Sequence, residues 1–269
     1  MSGAGSSRPF PLLGDAGPLA IQVFRRNMDV YLVTWRTACI SLAEPVFNFM
    51  AFGLGVGTLS REIEWEGRVI PYQAFVAPGI LAMSILFQSF FECLYGSYIR
   101  MYYQRTFDAI TATPASLDDV VAGEAMWGAA RGLLGSAATL LVLLAFGHGR
   151  NAGIVAVPVL AIAGGLFFGA LGLCFTGLVK SIEHINYPLH LVGVPMYLFG
   201  GLFFPVDVMP GWAQSVSLAN PVTYLGAALR LAVGGDLGPR VWLTAAALLV
   251  AAVPLLGLAV RLMRRRLIR

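Results

Sequence analysis

Charge is the scarcest commodity in this sequence. Of 269 residues, 12% are charged and 58% are hydrophobic, whereas soluble domains carry about 25% charged residues. That deficit excludes an ordinary soluble domain and makes a helical integral membrane protein the expectation. Cysteine and histidine are scarce too, with three of each. Cys39, Cys93 and Cys174 have no metal-ligand spacing and form no disulfide framework, so they read as small buried hydrophobes. The scattered histidines and the lack of a paired acidic motif argue against a metal site and against a membrane-embedded lipid-modifying enzyme. No G-x-x-x-x-G-K-[ST] loop occurs, so any ATP hydrolysis would belong to another polypeptide. The first residues lack a signal-peptide pattern, because Arg8 is followed by prolines instead of an apolar core. The net charge of +4 is not a nucleic-acid signal.

What the chain does have is long apolar runs. Six can span a bilayer: Cys39 to Leu59, Ala74 to Tyr98, Val120 to Phe146, Ala152 to Val179, Tyr187 to Phe204 and Val241 to Val260. A span needs about 20 residues, so the fifth is the shortest. Six spans put both termini on one side. That side holds Arg8, Arg25, Arg26, Arg36, Arg100, Arg105, Lys180, Arg261, Arg264, Arg265, Arg266 and Arg269. The other holds Arg61, Arg68, Arg150, Arg230 and Arg240. The positive-inside rule makes the richer side, and both termini, cytoplasmic.

Residues 1–17 are rich in Gly, Ser and Pro and read as a disordered tail. Residues 18–36 alternate apolar and polar groups as an amphipathic helix, lying in the cytoplasmic interface or extending the first span inward. Residues 37–263 form one transmembrane domain, and 264–269 a basic cytoplasmic tail. Gly53/Gly57, Gly128/Gly132 and Gly165/Gly169 have the spacing that lets helix backbones approach closely. In the loop after the first span, Glu62, Glu64 and Glu66 alternate, which predicts an extended or turn segment.

The one long stretch that cannot be buried in lipid lies between spans two and three. Gln104 to Thr111 has helical spacing without Gly or Pro. Pro114 disfavours helix at Thr113. Ser116-Leu-Asp-Asp119 then resembles a capping box that starts the third span. The expected pattern is a short helix, about 103–113, a sharp break and a capped membrane helix. The run Arg105-Thr-Phe-Asp-Ala-Ile-Thr-Ala-Thr-Pro-Ala-Ser-Leu-Asp-Asp-Val-Val-Ala-Gly-Glu124 resembles the segment before the third span of ABC-2-type exporter permeases, closest to the NodJ-like nodulation-factor exporter branch. The resemblance implies that the short helix is a coupling helix docking on a separate ATPase subunit. It implies Arg105, Thr106, Phe107, Asp108, Ala109, Thr111 and Pro114 as coupling residues. It further implies two ATPase copies, a second permease copy as a homodimer, and ATP with Mg on the partner and no cofactor on this chain. The cargo would be an amphiphile such as a lipo-oligosaccharide or glycolipid, exported across a bacterial inner membrane. An ion-driven secondary transporter is the alternative, although no internal repeat is evident.

Ionisable groups inside spans usually face the bundle interior and pair. Glu44, Asn48, Glu92, Glu124 and Arg131 all fall in the inner half of the membrane, either as pairs that fix helix register or as a polar vestibule for a substrate head group. Glu124 and Arg131, seven residues apart, share a helix face. Phe90, Phe91, Tyr197, Phe203 and Phe204 are candidates for an aromatic substrate path. Between spans five and six, Pro205, Pro210 and Pro221 break the chain. Asn220-Pro221 reads as a helix start, yet Val222 to Val233 is too short to span. Residues 205–235 are therefore expected to form a re-entrant helical hairpin in the outer leaflet, covered by protein. Here too Pro205-x-x-x-x-Pro210-Gly-Trp212 and Asn220-Pro-Val-Thr-Tyr224 resemble ABC-2 permeases.

Overall fold

A computed structural model describes residues 17–34, 43–59, 62–149 and 151–267. In chain order these are α1 (Leu19–Val33), α2 (43–59), the hairpin of β1 (Glu62–Trp65) and β2 (Arg68–Pro71), and α3 (Tyr72–Tyr103). The short α4 (Thr106–Thr111) follows, then α5 (Leu117–Ala145), α6 (Ala152–Leu178), α7 (186–198), α8 (Gly211–Leu218), α9 (Pro221–Val233) and α10 (Pro239–Leu267).

Four of these helices, α3, α5, α6 and α10, are long and apolar enough to cross a membrane. The pair α8 and α9, bent by 79° at a short break, adds a fifth if it is one crossing. The chain is thus a mostly helical integral membrane protein. Six uninterrupted spans are not seen among the described residues. The start of the first expected span, and with it Cys39, lies outside them. Its described part is α2, which is π-helical from Phe49 to Val56. The expected fifth span is interrupted. Within α7, Leu189–Gly193 is a π turn, and helix ends at Leu198 before Gly200 and Gly201. Pro188 and Pro195 each remove a backbone donor from this segment, and Gly201 takes a positive φ of 62°, which glycine adopts readily.

The acidic loop after α2 is extended, as its alternation predicts. Ile63 pairs with Ile70 across the hairpin, and Glu66-Gly67, with φ of 48° and 73°, forms the two-residue turn that matches strand twist.

α6 sits at the centre, packed against α3, α5 and α10. Its Gly165 and Gly169 face Gly132 and Gly128 of α5. A Cβ on Gly165 would lie 2.8 Å from the Ala129 Cα, and one on Gly132 would lie 3.3 Å from the Gly165 Cα. Two of the three glycine pairs therefore bring helices of one bundle together. Cys93 and Cys174 are buried free thiols.

α3 continues past the expected end of the second span. It reaches Tyr103 through π turns at Glu92–Gly96 and Ile99–Tyr103. A π turn leaves carbonyls without their usual donors, and π turns recur at functional sites. Here Thr176 of α6 donates its hydroxyl to the carbonyls of Cys93 at 2.7 Å and Leu94 at 3.0 Å. α10 is also longer than its apolar run, continuing through Arg264, Arg265 and Arg266 to Leu267. Arg264 pairs with Asp118 at 2.7 Å, and Arg266 donates to the Thr176 carbonyl at 2.9 Å and to that of Val179. Part of the expected tail is therefore helix, fastened to the starts and ends of other helices.

Candidate functional site: a buried ion network beside an exposed short helix

The π turns of α3 place Glu92, Ser97 and Arg100 toward α5. Arg100 is the hub. Its guanidinium donates to Glu124 at 2.6 Å and 3.0 Å and to Glu92 at 2.9 Å. Glu92 in turn lies 3.5 Å from the Arg131 Nε, whose Nη2 donates to Gln88 at 2.7 Å. Glu124 is almost fully enclosed, at 1% exposure. It accepts further bonds from Ser97 at 2.6 Å and from Asn27 of α1 at 2.9 Å. Two carboxylates thus face two guanidiniums, and the enclosed carboxylate is satisfied by three neighbours, which is what makes burying a charge tolerable.

α1 closes one side of the network. Its Tyr31 packs edge-on against Trp127 of α5 at 5.5 Å, and Arg131 stacks over the Tyr31 ring at 4.7 Å. Arg26 reaches both Asn27, at 3.1 Å, and Thr106 of the short helix α4, at 3.3 Å. Between them lies a cavity of about 380 Å³, lined by Arg26, Asn27, Tyr31, Glu92, Arg100, Gln104 and Trp127 among others.

Glu92, Glu124 and Arg131 are therefore brought together as the sequence reading has them, with Glu124 and Arg131 joined through Arg100 and Glu92. Asn48 is not part of this network; among the described residues no side-chain hydrogen bond joins it. The side chain of Glu44 lies outside the described residues. Arg100, Asn27, Ser97 and Gln88 were missed. The sequence shows Arg100 only as one of the charges beyond the second apolar run, because nothing in an apolar-run count reveals that π turns carry the helix onward.

α4 stands beside this network. Arg105 precedes it in the left-handed region, at φ 48°, a conformation that costs a non-glycine residue about 1–2 kcal/mol. Phe107 is fully buried, while Arg105, Asp108, Ala109, Thr111 and Pro114 are exposed and Thr106 is intermediate. Phe107 is thus the anchor that holds α4 down. The break after α4 ends in a capping box. Ser116 Oγ accepts from the Asp119 N–H at 3.1 Å, and Asp119 accepts from the Ser116 N–H at 2.9 Å. Asp119 also accepts from the Gly17 N–H at 2.6 Å, tying the start of α1 to the start of α5.

The five candidate path aromatics are not gathered in one place. Phe90 is buried and packs against Phe175. Phe91 is exposed and stacks on Tyr95. Tyr197 and Phe203 touch, at 6.2 Å, and Phe203 packs on Phe52 at 4.3 Å. Phe204 is exposed.

At the opposite end of the molecule, Arg230 of α9 is a further charge the sequence did not single out. It is buried over the Phe75 ring at 3.8 Å. It donates to the carbonyls of Phe75 at 3.0 Å, Gly201 at 2.7 Å and Leu202 at 2.9 Å. These bonds fasten α9 to α3 and to the loop after α7.

Among the described residues there is no group of three or more His, Cys, Asp or Glu placed to hold a metal ion. Comparison with known proteins gives a consistent picture. The family model described as ABC-2 type transporter matches residues 19–233. Nodulation protein J of Sinorhizobium fredii is 32% identical over 254 residues, covering 92% of this chain and 94% of that protein. Nodulation protein J of Rhizobium meliloti is 32% identical over 252 residues, covering 92% and 93%. The inner membrane transport permease YadH of Escherichia coli K12 is 23% identical over 190 residues, covering 71% and 74%. The chain belongs to the ABC-2 type transporter family, as a transport permease subunit of Nodulation protein J-like type.

Proposed function

We propose that the chain is the membrane subunit of an ATP-driven exporter. ATP and Mg would bind a separate ATPase subunit, present in two copies, and the permease would pair with a second copy of itself. The observation that carries this reading is α4. It is a short helix pinned by the buried Phe107, offering Arg105, Asp108, Ala109 and Thr111 outward, and bonded through Thr106 and Arg26 to the helix that closes the ion network. Such an element suits docking in a groove of a soluble partner. Closure of the ATPase pair would then bias the permease between two arrangements. In this orientation both termini and α4 are cytoplasmic, the membrane is a bacterial inner membrane, and α2 and α7 complete six crossings, with α8 and α9 re-entrant from outside.

The cargo in this reading is an amphiphile, such as a lipo-oligosaccharide or glycolipid. Two features support it. The 380 Å³ cavity lined by Arg26, Arg100 and Glu92 suits a polar head group at the inner leaflet, and the lipid-facing surface carries exposed aromatics such as Phe91 and Phe204. The test is co-purification with the candidate ATPase, followed by ATP hydrolysis with and without Asp108→Arg. A complex that forms with the wild-type chain and fails with the variant supports the reading. A permease that transports without ever binding an ATPase overturns it in favour of an ion-driven carrier.

A further inference from the structure

On the β-hairpin side of the molecule, α6, α9 and α10 leave an open groove of about 660 Å³. Its walls are Phe167, Ala228, Leu231, Ala247, Leu248 and Ala251. Its mouth is Glu66 and Arg240, which pair at 3.2 Å with side chains 48% and 74% exposed. Glu66, Leu231 and Arg240 also line a hollow of about 420 Å³ that adds Arg68 and Asp236. An apolar slot therefore opens directly into a small basin holding two guanidiniums and two carboxylates.

The depth of the slot matches one leaflet. Arg240 and Ala251 are eleven residues apart on α10, about 16 Å at the helical rise, and half of a hydrocarbon core is about 15 Å. Trp242, two residues from Arg240, is exposed near the mouth, at the level where such rings sit between headgroups. Charge decides the occupant. A purely anionic headgroup would meet Glu66 and Asp236, and a bare cation would meet Arg68 and Arg240. A headgroup carrying both signs satisfies all four. A neighbouring protein helix laid here would have to bury the Glu66–Arg240 pair, at a desolvation cost that the pair's attraction does not reliably repay.

We propose that this groove binds one phospholipid with a zwitterionic phosphoethanolamine headgroup, taken from the leaflet on the hairpin side, which is the outer one in the orientation given above. One acyl chain lies along the alanines of α10, the phosphate meets Arg240 and Arg68, and the ammonium meets Glu66 and Asp236. The lipid acts as a packing element between α9 and α10 and is not cargo.

The test uses the full chain in vesicles of phosphatidylethanolamine and phosphatidylglycerol. A trace of phosphatidylethanolamine carries a photoactivatable diazirine on its acyl chain, and adducts are mapped by mass spectrometry. Labelling of residues 240–251 is expected to exceed that around Leu141, an exposed apolar residue of α5. Arg240→Gln, a surface change, should cut groove labelling about fivefold, the upper order for one largely exposed charge contact. Ala247→Trp should abolish it while labelling at Leu141 persists and the melting temperature is maintained. Four outcomes overturn the proposal: groove labelling no stronger than at Leu141, equal labelling by a phosphatidylglycerol probe, labelling that requires ATPase and ATP, or a disulfide between two copies carrying Ala247→Cys.

Discussion

Glu124 carries the heaviest consequence of any single side chain. It is enclosed, and its charge is tolerated because Arg100, Ser97 and Asn27 all bond to it. Removing one member of a buried pair leaves the other uncompensated, at a cost of about 3–5 kcal/mol. Glu124→Leu is therefore expected to cut the folded yield sharply, read by fluorescence-detected size exclusion, and Glu124→Leu with Arg100→Met to recover part of it. Glu92 is different, because it is 19% exposed and lines the cavity. Glu92→Gln keeps the shape and should leave protein level unchanged while lowering export of the cargo. Unchanged export at normal level would remove the head-group role and leave a lock on helix register. His148 gives a pH signature outside the spans. Burial against α2, edge-on to the Phe49 ring at 5.4 Å, holds its pKa below the ordinary 6.5. The folded state thus favours the neutral ring. Its contribution is present above about pH 6.5 and declines as pH falls through that value toward the lower folded pKa. The melting temperature should drop between about pH 7 and pH 5.5, and His148→Phe should shrink that drop. An unaltered pH profile would show that His148 does not report on folding.

At the scale of elements, the sequence was most legible where physics acts locally. Apolar length marked α3, α5, α6 and α10, and Ser116 with Asp119 marked the start of α5, because a cap needs only four residues. Residues 62–71 were legible as extended because three glutamates alternate. The π turns of α3 left no such trace. They exist because α6 supplies Thr176 to the freed carbonyls and because Glu124 awaits Arg100, and both partners are distant in sequence. The partners of Arg100 are hidden for the same reason, and those of Arg230 because they are backbone carbonyls, which carry no signature in a sequence. The glycine spacing was legible as close packing but not as to its partner, since three pairs offered the same pattern. The facing of Gly128/Gly132 on Gly165/Gly169 gives it a test. Gly165→Val would push a branched side chain toward the Ala129 backbone, already only 2.8 Å from a Cβ at that position. Overpacking costs about 1–3 kcal/mol, so a clear fall in melting temperature is expected. Gly67→Ala, in a turn with open space around it, should leave the α5–α6 seam untouched and cost only the strain of a positive φ.

Across the whole molecule, the proposed function assigns stability and partner recognition to different faces of the same short helix. The buried face of α4 is Phe107, joined to the core that includes Val120 and Val121. The outward face is Asp108, Ala109 and Thr111, which contribute little to packing. A knob that transmits force needs both: a rigid seat and a surface free to meet another protein. The two faces should therefore fail in different assays. Phe107→Ala removes a fully buried ring, at about 3–5 kcal/mol, and is expected to lower the melting temperature of the isolated permease before any ATPase is present. Asp108→Arg changes only an exposed charge, where stability effects stay within about 0.5 kcal/mol. It should melt like the wild type yet lose ATPase binding or stimulated hydrolysis. If Asp108→Arg binds and stimulates normally, while Phe107→Ala fails only by unfolding, α4 is a structural plug and any docking surface lies elsewhere. If the two variants separate as expected, the rigid seat at Phe107 and the exposed charge at Asp108 act as the two ends of one lever into the Arg26–Asn27–Glu124 chain.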